Sequence, residues 1–157
     1  MKSWAEFKHE NPELAMYGKR LLFRLHPQVG YAFLATLRKD GAPRLHPVSL
    51  VTSNDRIYVL IPPNSPKCSD LLRDGRFTMQ AFPPPNNEPG EEFYISGNAV
   101  SIADITIRKA LIADSEIQAD ESEVLFELLL DRAMYTRLVN QGTPDEHPEH
   151  HKWQAID

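Results

Sequence analysis

The sequence predicts a mainly β domain, an antiparallel meander flanked by helices, on three observations. Hairpin turns at Lys39-Asp40-Gly41-Ala42 and Ser53-Asn54-Asp55 join three consecutive strands, and strands joined by such short turns pair antiparallel, because a parallel pair needs a crossover of about a dozen residues. Residues 44–51 alternate, with Arg44, His46, Val48 and Leu50 on one side and Leu45, Pro47, Ser49 and Val51 on the other, the period of a strand. The 13 prolines are concentrated in connections, which argues for many short loops.

The elements follow in order. Ser3 and Glu6 form a capping box for a first short helix, and Asn11-Pro12 starts a second, with Asn as N-cap and Pro at the first helical position. Leu14, Tyr17, Leu21 and Leu25 recur at helical spacing over 12–25, a packing stripe. Residues 31–38 are a dense apolar and β-branched run, read as a strand buried on at least one face. On the second strand Pro47 cannot donate to a ladder, which places an edge or a bulge there. A third strand occupies 56–61. Ser65 is an N-cap and Pro66 the first residue of a two-turn helix that Gly75 ends as its C′ residue. Strands follow at 77–82 and 92–102, with a bulge expected at Gly97, and Asp104 caps a helix over 105–113. For residues 122–140 composition favours helix, while Val124, Phe126, Leu128 and Leu130 alternate as a strand does. Residues 141–157 read as an extended polar tail ending near Trp153.

With 157 residues the chain is expected to be one domain; a chain of that size buries roughly 68–70% of its unfolded surface and needs no metal or disulfide staple. The N-terminal helices span 3–25, the strand-rich core (a barrel by family resemblance) about 31–140 and the tail 141–157. A net charge of −5 without a Lys/Arg block disfavours nucleic-acid or anionic-membrane partners. No apolar run reaches the ~20 residues that span a bilayer, and no signal-peptide core is visible at the N-terminus. The single cysteine, Cys68, fits a reducing cytoplasm, the expected location.

The residues that could carry chemistry cluster between 44 and 67. Arg44 projects from a strand, and Lys67 is the second residue of a helix whose first N–H groups are unpaired. A lysine there is electrostatically misplaced by about 0.3–1 kcal/mol unless an anion intervenes, and two cations, the Ser65 hydroxyl and a helix N-terminus are what a phosphate needs. The alternative is a pair of solvated surface cations. His46 lies two residues from Arg44 on the same face, either a half-buried strand histidine or a hydrogen-bond partner for a ligand. His147, His150 and His151 lack a Cys or carboxylate at metal-site spacing and read as part of the solvated tail. Cys68, at the third position of its helix, where a thiolate is favoured, lacks a catalytic partner in sequence and reads as an incidental thiol. The absence of GxSxG, SxxK, Walker A and GxGxxG patterns argues against a serine nucleophile or those nucleotide sites.

The run FLATLRKDGAPRLHPVSL, then RIYVLIPPNSPKCSDLLRDGRFTMQAF, then EEFYISGNAVSIAD, resembles the pyridoxamine 5′-phosphate oxidase-like, FMN-binding split β-barrel family over about half the chain. The resemblance implies a six-stranded antiparallel split barrel that dimerises, with a flavin at the subunit interface. It implies that Arg44 and Lys67 grip the cofactor phosphate with Ser65 assisting, that His46, Pro47, Val48 and Ser49 line the ring, and that Trp153 reaches the pocket from a partner subunit. It also implies a closing strand within 124–138. Pro66 stands where the oxidase has Arg, Ser49 where it has Lys, and its Arg-bearing C-terminal extension has no counterpart, which sets the chain apart from pyridoxamine phosphate oxidation. The expected function is an FMN- or deazaflavin-dependent oxidoreductase acting on a small molecule. The alternatives are a flavin-binding or redox-sensing module without turnover, or a haem-binding barrel. Loss of Arg44 or Lys67 is expected to weaken cofactor binding and to leave thermal stability nearly unchanged.

Overall fold

The computed structural model describes residues 1–86 and 88–156. Helix α1 (Trp4–Glu10) begins at the expected capping box: Ser3 Oγ accepts the Glu6 N–H at 3.3 Å, and Glu6 Oε2 accepts the Ser3 N–H at 2.7 Å. In α2 (Pro12–Leu22) the Asn11 side chain accepts the Leu14 N–H. The helix stops three residues before the expected end, leaving Leu25 85% exposed. The cause is Pro27, which disfavours helical backbone before it, and the His26 ring, whose Nδ1 accepts the Gln28 and Val29 N–H groups in a turn.

Strands β1 (Val29–Leu37), β2 (Pro43–Ser53) and β3 (Arg56–Ile61) form the expected meander. Gly41 at φ 84° turns the first hairpin, and Asn54 and Asp55, at φ 50° and 54°, turn the second, a backbone that short polar residues tolerate. Helix α3 (Pro66–Arg73) leads to β4 (Arg76–Ala81), β5 (Glu91–Ser101), α4 (Ile105–Ser115), β6 (Val124–Val139) and β7 (His147–Gln154). Gly75 follows α3, but its φ is not left-handed; a Cβ there would meet the Ala99 carbonyl oxygen at 2.6 Å, so close approach to β5 is what demands glycine.

Every pairing is antiparallel, in the order β3-β2-β1-β4-β5-β6-β7, and β3 also pairs with β6. That last pairing closes β1 to β6 into a six-stranded barrel, with β7 added outside the closure. β6 is a strand despite its helical composition: its first half lies between β3 and β5 and its second half between β5 and β7. Leu125, Phe126, Leu128 and Leu130 are all buried. Ladder partners on both edges outweigh a propensity difference of tenths of a kcal/mol per residue.

The expected polar tail is corrected as well. Residues 147–154 return along β6 and pair with residues 132–139; an edge strand needs backbone pairing and one anchored side chain rather than an apolar pattern. The anchor is Trp153, whose ring lies 4.7 Å from that of Phe7.

The bulge in β5 falls between Ser96 and Gly97, and a Cβ on Gly97 would lie 1.9 Å from the Leu129 carbonyl oxygen. Gly97→Ala is therefore expected to cost about 1–3 kcal/mol, roughly 2–12 °C in melting temperature. An unchanged thermal melt would show that the bulge does not require glycine.

Candidate functional site

The site is set by where β2 leaves β3. β2 pairs with β1 from Pro43 to Val51, but with β3 only over residues 51–53, while residues 58–61 of β3 turn to β6. Residues 43–50 of β2 therefore keep one backbone edge free. Pro47 sits in that stretch, as a proline in a strand should. The parting of the strands opens a groove of about 430 Å³ walled by Pro47, Val48 and Ser49 of β2, Leu60 of β3, Lys67 of α3 and Ile117 after α4. Its size lies within the range of about 300–1,000 Å³ typical of ligand pockets. Glu123 also borders it, its carboxylate accepting the Asp120 N–H at 3.1 Å.

Beside the groove, α3 is locked to the barrel by a carboxylate that the sequence reading did not single out. Asp70 is 3% exposed. It accepts the Thr36 hydroxyl of β1 at 2.9 Å, Arg44 Nε of β2 at 2.7 Å and an Arg73 terminal nitrogen at 3.2 Å. Thr36 and Arg44 face each other in the β1–β2 register. Burial alone would raise the Asp70 carboxyl pKa, but the hydrogen bonds from Arg44, Thr36 and Arg73 outweigh it and hold the group below the usual carboxylate range.

Arg44 spends only Nε on Asp70, and its two terminal nitrogens have no partner among the described residues. Lys67, half-buried at the second position of α3, has neither an ion pair nor a hydrogen bond among them. Ser65 occupies the N-cap position, but its hydroxyl makes no cap bond. His46 directly precedes the groove residue Pro47 on β2, and its Nε2 is buried without a hydrogen-bond partner, the one such side-chain atom among the described residues. Burial, followed by the charges of Lys67 and Arg44, pushes the His46 pKa below its ordinary value. The cations the sequence pointed to thus act on one place.

The structure brings Pro47, Val48, Ser49 and Lys67 onto the groove; Arg44 and His46 precede them on β2, and Ser65 is the N-cap of α3. Trp153 is elsewhere in its own chain, packed on Phe7 and donating its indole N–H to Glu10 at 3.0 Å. The Cys68 thiol, expected to favour thiolate, is buried, and burial pushes its pKa up. The histidines of β7 do not converge. His150 Nδ1 is 2.9 Å from the Thr136 hydroxyl, His147 Nδ1 is 2.9 Å from the Asp145 carbonyl oxygen, and His151 lies against Tyr135. No metal-binding group is found among the described residues. The role of Asp70 carried no sequence signal, because nothing local separates it from Asp74 four residues on, whereas Leu60 and Ile117 join the groove only through the tertiary fold.

No protein-family model matches the chain, and no curated protein does either. Solved structures do match. A NimC/NimA family protein from Clostridium acetobutylicum has a TM-score of 0.61 at 11% identity, with 94% of this chain and 96% of that one covered. An FAD-binding protein from Mesorhizobium loti has a TM-score of 0.58 at 17% identity, covering 77% and 90%. A haem-binding protein from Mycobacterium smegmatis has a TM-score of 0.58 at 15% identity; the chain spans 56% of that protein's length, and 83% of this chain is covered. The chain has the split-barrel fold. At these identities the likeness shows the fold alone.

The paired Asp70 alters the expectation for Arg44. Removing Arg44 strips a buried carboxylate of its closest cation, so Arg44→Ala should lower stability by about 3 kcal/mol, whereas Lys67→Ala, which breaks no bond, should leave the melting temperature unchanged. Because the folded Asp70 pKa is depressed, its contribution is full above the unfolded value of 3.8 and is lost as pH falls toward the folded value. In urea titrations, the stability gap between wild type and Asp70→Asn should be flat above that pH and shrink below it. A gap that does not vary with pH would show that Asp70 is not held as a carboxylate.

Proposed function

We propose that the groove binds a phosphorylated flavin-type cofactor, FMN or a deazaflavin, and that the protein is a flavin- or deazaflavin-dependent oxidoreductase for a small molecule. The observation that carries this reading is the set of unspent donors on and next to the groove-lining segments: Lys67 on the groove, the terminal nitrogens of Arg44 three residues before Pro47, and the Ser65 hydroxyl two residues before Lys67. Eight of the other fifteen lysines and arginines are tied to carboxylates, as in Lys8–Asp55, Arg20–Glu91 and Arg137–Glu149, while Arg38, Lys39, Lys109, Arg132 and Lys152 have no side-chain partner among the described residues and, unlike Lys67, do not line the groove. A phosphate supplies the missing partner, and charge-assisted contacts of this kind are the stronger class of hydrogen bond.

Behind the mouth, Val48, Leu60 and Pro47 offer apolar walls to a flat ring, and the unpaired edge of β2 offers backbone groups to its polar rim. The cofactor, once bound, carries the electrons or hydride; the protein's part is to clamp, orient and shield it. No side-chain nucleophile or acid–base pair is then required. We propose that the working form is a homodimer with the groove at the subunit interface. This is supported by the apolar outer face of β1 and β2, where Leu45 is 65% and Tyr31 43% exposed. The haem reading has less support, since the β7 histidines are spread over two faces of a strand.

Lys67→Ala should weaken FMN binding roughly ten- to a hundred-fold, the loss of a contact of about 1.5–3 kcal/mol, while riboflavin, which lacks the phosphate, binds both proteins alike. Fluorescence titration measures this, and equal FMN affinity in the two proteins would remove the phosphate clamp. Light scattering reports the dimer. Reduction of bound cofactor by a nicotinamide donor, followed by reoxidation across a panel of small acceptors, separates an enzyme from a binding module.

A further inference from the structure

The orphaned His46 nitrogen is not explained by a phosphate clamp made of Lys67 and Arg44 alone. Buried side-chain nitrogens in folded proteins nearly always have partners, and among the described residues only His46 Nε2 has none. The groups that act on it come from three elements. Lys67 and Asp70 lie on α3, Arg44 shares β2 with it, and Arg38 follows the end of β1. Three of these four are cations, and the one carboxylate is already committed to Arg44, Thr36 and Arg73. Burial, then the field of these cations, lowers the proton affinity of the imidazole, and Nε2 has no hydrogen-bond partner.

We propose that His46 takes up a proton when a phosphorylated ligand enters the groove, so that the anion is held by three cations instead of two. The inference rests on the phosphate site above and assigns its selectivity. A dianion at the mouth cancels the repulsion from Lys67 and Arg44, and the protonated ring becomes a donor at the nitrogen that had no acceptor. By linkage, whatever raises the proton affinity of His46 on binding must raise ligand affinity as pH falls. His46 is a positioning and selectivity residue in this account: it distinguishes a phosphate tail from a neutral one through charge.

The decisive measurement is the imidazole titration of His46 by NMR, made on the wild-type protein alone, with FMN, with inorganic phosphate and with riboflavin. The ring should titrate below its ordinary value of 6.5 in the free protein and move up by about one unit with FMN or phosphate. Riboflavin should leave it in place. The FMN affinity of wild type should then gain about tenfold over that of His46→Gln as pH is lowered through this range, and calorimetry in buffers of different ionisation enthalpy should show the extra proton uptake only in wild type. An unchanged titration in the presence of both phosphate and FMN overturns the proposal. FMN binding without movement of His46 would overturn it while leaving the flavin reading intact. Movement with phosphate but no binding of any flavin would do the reverse.

Discussion

A single buried carboxylate organises this end of the molecule. Asp70 is almost wholly removed from water, and an unpaired charge in that position would cost several kcal/mol. It is tolerated because donors from β1, β2 and its own helix converge on it. The bonds to Thr36 and Arg44 fix how α3 sits on the barrel. That placement turns the start of α3, with Ser65 and Lys67, toward the open edge of β2. The same bond draws Arg44 by its Nε alone and leaves the far end of the guanidinium unspent. One interaction therefore sets α3 against β1 and β2 and leaves the end of the Arg44 guanidinium unspent.

The groove depends on a second constraint, the parting of β2 from β3. In a regular closed barrel no strand edge is left open. Here β3 exchanges β2 for β6 after a short shared ladder, so the barrel closes further on while eight residues of β2 stay open on one side. An open edge is normally an aggregation hazard. Pro47 within this one blunts it, since it offers no N–H to an incoming strand. What remains is a groove bounded by α3 on one side and the segment after α4 on the other.

Charge tells the same story at a coarser scale. The chain carries a net charge of −5, and carboxylates around the barrel neutralise several arginines and lysines one for one. Lys67 is among the cations left without such a partner, and it sits beside a helix N-terminus, where the field favours an anion. The proton uptake proposed for His46 belongs to the same balance, since burial and the charges of Lys67 and Arg44 hold its pKa below the ordinary value.

Local chemistry made much of this legible. The capping box at Ser3 and Glu6, the Asn11-Pro12 start, the Asp40-Gly41 and Asn54-Asp55 turns, the Gly97 bulge and the alternation along β2 are short-range signals, and each element formed where those residues placed it. Arg44 and Lys67 could be picked out because their oddity is local: a cation at a helix start, and another on an alternating strand. The sequence alone left the stretch from Ser122 to Asn140 open, since propensity and alternation disagree there and only partners on both edges make it a strand. It did not single out Asp70 over Asp74, nor show that the tail would pair with β6 and anchor Trp153 on Phe7. Those outcomes depend on which distant surface each residue meets, and such energies arise only once the barrel has closed.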